Sequence, residues 1–172
     1  MTLALAMDQA GLTVALVDVL EMDEQIAPEF DGRASALAYT SWRMFEALGV
    51  AEYLRPHTQR IEHILVCDGR PYGGDKPGGP GPHSLHFDRR EISDGDDGEP
   101  LGWMAENRYS RFALIQALKS KPGISVFAPA RADRYETRGD GVDLYLDDGR
   151  FLSGQLLVAC DGKFSRLRKQ AA

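Results

Sequence analysis

Apolar positions along the chain change period several times, and each change marks an element. Residues 2–10 carry Leu3, Leu5, Ala6 and Met7 with Gly11 behind them, the pattern of a helix and its stop. Residues 12–17 form a β-rich run ending at Asp18, and the polar stretch 21–33 reads as a loop. Trp42, Phe45 and Leu48 recur at helical spacing and predict a short helix over 42–48. Ser41 would cap it, Gly49 would end it, and the shared apolar face belongs to a core. Residues 61–67 read as a strand, 68–82 as a Gly- and Pro-rich loop, and 84–87 as a second short strand. The clearest helix covers 108–119, with Phe112, Ala113, Leu114, Ile115 and Leu118 inward, Asn107 as its N-cap and Pro122-Gly123 closing it. A strand over 124–127 follows. Runs at 131–137, 142–146 and 151–153 then predict a small antiparallel sheet, with Asp147-Asp148-Gly149 turning between the last two. Residues 156–159 read as a buried strand whose carboxyl end delivers Asp161, with Gly162 letting a backbone approach closely. This mixture of helices and strands is that of an α/β fold.

The chain has 172 residues, enough to bury a core, and a net charge of −6 that argues against a nucleic-acid partner. Cys67 and Cys160 lie far apart without a histidine at ligand spacing, which suggests free thiols in a reducing compartment. His57, His63, His83 and His86 are scattered and form no His-Glu-x-x-His, so no metal site is expected. The acidic run at 94–99 fails as a calcium loop, because Glu99 and Ala105 stand where glycine and glutamate are needed. It reads as a solvated loop. No run approaches the roughly 18–20 apolar residues of a membrane span, and Asp8 interrupts the only apolar stretch near the N-terminus. The expected location is cytoplasmic, with contact at the membrane surface left open. No nucleophile elbow is present, and no side chain is assigned as a general acid or base.

Helix, glycine, strand and acid is the order that follows the phosphate loop of a Rossmann unit, where the acid, here Asp18, takes a ribose hydroxyl. The glycine loop and the first strand would precede Met1. The expectation is therefore an incomplete Rossmann-like domain in a chain that is part of a longer protein.

Three motifs narrow the function. The first is Ala159-Cys160-Asp161-Gly162-Lys163-Phe164-Ser165-Arg166-Leu167-Arg168. The second is Asp31-Gly32-Arg33-Ala34-Ser35-Ala36-Leu37-Ala38-Tyr39-Thr40-Ser41 with Phe45-Glu46-Ala47-Leu48-Gly49-Val50 behind it. The third is Met104-Ala105-Glu106-Asn107-Arg108, running into the helix at Phe112. In this order and spacing they resemble the FAD-dependent hydroxylases of ubiquinone biosynthesis, within the para-hydroxybenzoate-hydroxylase-like flavoprotein monooxygenases. The resemblance covers nearly the whole chain and the front half of such an enzyme.

It implies FAD as cofactor, NAD(P)H as reductant, and O2 with a phenolic polyprenyl small molecule as substrates. It implies an FAD-binding domain over 1–60 and 101–172, and the start of an inserted β-rich substrate domain over 61–100. The cofactor-binding residues it implies are Asp18, Arg33, Asn107, Arg111, Asp161 and Gly162. Contact with the membrane periphery or a biosynthetic complex goes with such a substrate. Two other readings stay open: a non-catalytic interaction module derived from a flavoprotein, and an NAD(P)- or FAD-dependent oxidoreductase of different chemistry.

Overall fold

A computed structural model describes residues 1–26, 32–70, 79–91 and 98–171. In chain order the first elements are α1 (Thr2–Gln9), β1 (Val14–Val17), β2 (Ala34–Ala38), α2 (Tyr39–Ala47), α3 (Ala51–Leu54) and β3 (Thr58–Ile61). Next come β4 (His63–Arg70), β5 (Gly79–Asp88), β6 (Gly102–Glu106) and α4 (Asn107–Lys119). The last are β7 (Ile124–Phe127), β8 (Ala132–Arg138), β9 (Gly141–Leu146), β10 (Phe151–Gly154) and α5 (Arg166–Ala171). They divide into two compact units, Met1–Pro28 with Leu114–Ala172, and Glu29–Ala113.

In the first unit β1 and β7 pair in parallel, Val14 opposite Ile124 and Val17 opposite Phe127, and α1 packs on both. Leu5 of α1 is fully buried. The β10-β9-β8 sheet is antiparallel, as the alternation in 131–153 leads one to expect. Val142, Leu144 and Leu146 of β9 alternate into the interior. Leu144 and Leu146 meet Ala130 and Leu167 in one cluster, against which Val17, Phe127 and Leu157 pack. Each such aliphatic side chain contributes about 1.5–3 kcal/mol by leaving water, so α5 is held to the small sheet chiefly through Leu167. Gln170 adds a polar tie. Its side-chain amide donates to the Tyr135 carbonyl (2.7 Å) and accepts the Tyr135 N–H (3.1 Å), occupying the edge of β8 as a neighbouring strand would.

The expected strand over 156–159 does not form. Leu156 and Val158 are exposed (70% and 45%) while Leu157 faces the cluster, so the period-two alternation is present. Among the described residues, however, none of 155–160 makes a backbone ladder bond, and β10 ends at Gly154. Alternation gives a face, but a strand also needs a neighbour to pair with.

In the second unit the sheet order is β2-β6-β3, antiparallel throughout. Trp42 of α2 is fully buried and stacks on Trp103 of β6, ring centroids 4.2 Å apart. Phe45 and Leu48 are buried beside it in the sequence pattern, as their spacing predicts. Ser41 is not the cap of this helix. The helix begins at Tyr39, directly after β2, and the Tyr39 N–H already donates to the Leu101 carbonyl (3.3 Å). Backbone thus satisfies one of the donors at the helix start, and the helix makes no side-chain cap bond.

The stretch 68–82 was expected as one loop, but ladder pairing enters it from both sides. β4 runs on to Arg70 and β5 begins at Gly79, with a register shift between Cys67 and Gly69. Residues 71–78 lie outside the described residues, as do 92–97, which hold most of the acidic run. The β4–β5 ribbon is anchored at its base. The Arg89 side chain pairs with Glu62, and the Arg89 N–H donates to the Glu62 carbonyl (3.1 Å).

Candidate functional site

The register of the central sheet in the second unit gathers one group of the expected site residues. Ala34 pairs with Glu106 and Ser35 with Ala105, so position 33 falls opposite position 107 at the end of the ladder. The Asn107 N–H donates to the Arg33 carbonyl at 3.0 Å. Positions 103, 105 and 107 share one face of β6 and its continuation, as do 33, 35 and 37 on the neighbouring strand. Ser35 and Asn107 are therefore diagonal neighbours, and the Ser35 hydroxyl donates to Asn107 Oδ1 at 2.7 Å. Asn107 was expected to cap α4. Instead it is the first helical residue, and its amide oxygen is taken by Ser35 across the sheet. Among the described residues the amide nitrogen has no acceptor. Arg111 follows one turn later on the same side of α4, and Arg33 is exposed at the strand entrance.

Other side chains at this end brace the helix start. Arg108 Nε donates to Glu106 (2.7 Å) and its guanidinium lies over the Tyr109 ring (4.7 Å). Tyr109 in turn stacks flat on His57, centroids 4.0 Å apart. Motif reading missed Ser35 as the partner of Asn107, because the two are 72 positions apart.

In the first unit Asp18 stands immediately after β1. Its N–H donates to Phe127, its carbonyl accepts from Ala130, and one carboxylate oxygen accepts the Leu20 N–H (3.0 Å) in a local turn. Asp161 and Gly162 precede α5. Asp161 accepts the Arg166 N–H (3.2 Å), and the Ser165 hydroxyl holds its carboxyl below the usual carboxylate range. Ser165, itself buried, accepts the Arg168 N–H (3.0 Å) and so caps the helix. Gly162 has φ +81°, but a Cβ built there meets nothing within 4 Å. The glycine is required by its left-handed backbone and not by a close approach within this chain. Gly162, Ser165, Leu156, Leu157, Tyr135 and Arg168 border a cleft of about 510 Å3.

Among the described residues no group of histidine, cysteine and carboxylate side chains is arranged to hold a metal ion. Among them, too, no helix is long and apolar enough to cross a membrane.

The class of fold is given by solved structures. PqsL of Pseudomonas aeruginosa, a probable FAD-dependent monooxygenase, superposes with a TM-score of 0.65 at 15% identity, covering 99% of this chain and 41% of that one. The chain therefore has the α/β fold of a stretch of such a protein. Sequence relatives are more specific. The chain is 32% identical over 99% of its length to ubiquinone hydroxylase UbiL of Rhodospirillum rubrum, and 24% identical over 94% to ubiquinone hydroxylase UbiM of Neisseria meningitidis. It is a relative of the ubiquinone hydroxylases. The chain spans about a third of the length of these relatives, 36% and 33%. No protein-family profile matches it.

Proposed function

We propose that the chain is the portion of an FAD-dependent monooxygenase that hydroxylates the aromatic ring of a ubiquinone precursor. The observation that carries this reading is the 32% identity to a ubiquinone hydroxylase, which runs through 99% of the chain. FAD presents phosphate oxygens that accept hydrogen bonds and sugar hydroxyls that donate them. The residues present fit both. Arg33, Arg111 and the side-chain amide of Asn107 carry donors suited to phosphate or sugar oxygens. Asp18 and Asp161 are ionised acceptors suited to ribose hydroxyls, and Gly162 provides the turn after Asp161.

The bound flavin, reduced by NAD(P)H, would supply the redox chemistry with O2. This chain's part is to bind and orient it. The parallel β1–β7 pair with α1 packed on it supports a Rossmann-like reading of residues 1–60 and 101–172. Residues 61–100, with the β4–β5 ribbon, begin the substrate domain in this reading. A phenolic polyprenyl substrate dissolves in a bilayer, so the working protein meets the membrane surface or a biosynthetic complex that does.

Flavin binding tests the reading. Titration with FAD should develop a bound-flavin absorbance spectrum, and Arg33→Ala and Asn107→Ala should each weaken binding. In the longer protein of which this chain is a portion, a folded near-UV circular dichroism signal without FAD uptake would overturn it.

A further inference from the structure

We propose that Ser165 is a positioning residue whose hydroxyl fixes the Asp161 carboxylate as an acceptor for the ribose of FAD. The proposal rests on the FAD reading, in which Asp161 accepts from ribose hydroxyls. Asp161 is exposed in the turn before α5, whereas Ser165, four residues on, is 4% exposed. The Ser165 N–H closes that turn by donating to the Gly162 carbonyl (3.1 Å). A hydroxyl can donate or accept, but here each neighbour admits one direction. The Arg168 N–H can only donate, and it donates to Ser165 Oγ at 3.0 Å. The ionised carboxylate can only accept, so the hydroxyl proton goes to Asp161. The Arg166 N–H donates to Asp161 Oδ2 at 3.2 Å. Two donors on the helix side thus pin the carboxylate, and the lone pairs they leave are those a ligand can reach. Charged side chains lie nearby: Lys163, Arg166 and Arg168 on the same stretch, and Asp133, Arg134, Glu136 and Arg138 on β8, which packs on α5. The Ser165 hydrogen bond outweighs them all in keeping Asp161 ionised, ahead of burial, which opposes it, and of the N–H groups of Asp161, Arg166 and Leu167.

Two measurements on the longer protein of which this chain is a portion test this. The first needs no ligand. The carboxyl carbon resonance of Asp161, assigned by its loss in Asp161→Ala, should titrate at higher pH in Ser165→Ala than in the parent. Ser165→Thr, which keeps the hydroxyl, should restore it, and Ser165→Cys, a weaker donor of similar size, should fall between. The second is FAD affinity as a function of pH. At neutral pH Ser165→Ala should weaken it by about two- to tenfold, the worth of one ordinary hydrogen bond, and the acid-side loss of affinity should set in at higher pH. A bare helix cap would act whether or not Asp161 is present. Ser165→Ala should instead add nothing to the loss of FAD affinity in an Asp161→Ala background.

If the Asp161 titration is indifferent to Ser165→Ala, the proposal is overturned. An equal loss of FAD affinity from Ser165→Ala with and without Asp161→Ala overturns it too, since Ser165 then acts on the helix alone. If the titration moves with Ser165 while Asp161→Ala binds FAD as tightly as the parent, the ribose role of Asp161 falls and the hold of Ser165 on its carboxylate stands.

Discussion

The proposed function gives Asp161 two separable jobs, and replacing it by alanine and by asparagine tells them apart. Its carboxylate accepts the Arg166 N–H at the start of α5 (3.2 Å) and is bonded by Ser165. Losing a side-chain oxygen at a helix start costs roughly 0.5–2 kcal/mol, whereas asparagine is about as good there as aspartate. Asp161→Ala should therefore lower stability by about 1 kcal/mol, and Asp161→Asn should melt with the parent. The ligand job has the opposite signature. An ionised acceptor on a ribose hydroxyl is worth about 1.5–3 kcal/mol, or roughly ten- to a hundredfold in affinity. A neutral amide, half donor, forfeits most of that. The assay is a urea melt of each variant beside FAD titration monitored by flavin fluorescence. Asp161→Asn should be normal in the first and impaired in the second. If Asp161→Asn binds FAD as tightly as the parent, the carboxylate is a helix cap and nothing more.

Trp42→Ala should cost about 3–5 kcal/mol, because the ring is fully buried against Trp103, and a urea melt that moves by less than 1 kcal/mol would contradict this packing. Gly162→Ala forces a left-handed residue with φ +81° and should cost about 1–2 kcal/mol, while Gly139→Ala, with open space and no positive φ, should be near neutral in the same melt. Asp88 is held well below the usual carboxylate range, first by hydrogen bonds from the Arg90 side chain and then from its backbone N–H. A depressed folded value means its contribution is complete above the unfolded pKa of about 3.9 and is lost as pH falls through the folded one. The melting temperature of the parent should therefore exceed that of Asp88→Asn at neutral pH, with the gap closing only in strong acid; a gap that persists unchanged there refutes the pairing.

Elements that carry their own signal were legible before any coordinates. The face of Trp42, Phe45 and Leu48, the helix at 108–119, and the three short strands between 131 and 154 all satisfy local periodicity and turn chemistry. What depends on a distant neighbour was not. Residues 156–159 have the composition and alternation of a strand, yet among the described residues nothing completes a ladder beside them. Ser41 resembles a cap, but the helix begins two residues earlier, where the Leu101 carbonyl, just before β6, accepts from the Tyr39 N–H. Asn107 was found as a candidate, while its hydrogen-bond partner Ser35 is visible only once β2 and β6 are in register. The ends of β4 and β5 were hidden by glycine and proline, whose turn preference is outweighed where a partner strand is in reach.

The parallel pair at the base of the first unit sets a timetable for synthesis. Val14 cannot find Ile124 until 110 further residues have been made. At about 5–20 residues per second, that is roughly 5–20 s, during which the second unit, contiguous from 29 to 113, has time to fold first. Meanwhile the apolar run of β1 waits with the edge that β7 will pair still open, the state in which strands recruit wrong partners. Synthesis is thus exposed at β1 throughout that interval, and residues 14–17 are a segment on which a chaperone that shields nascent apolar stretches would act.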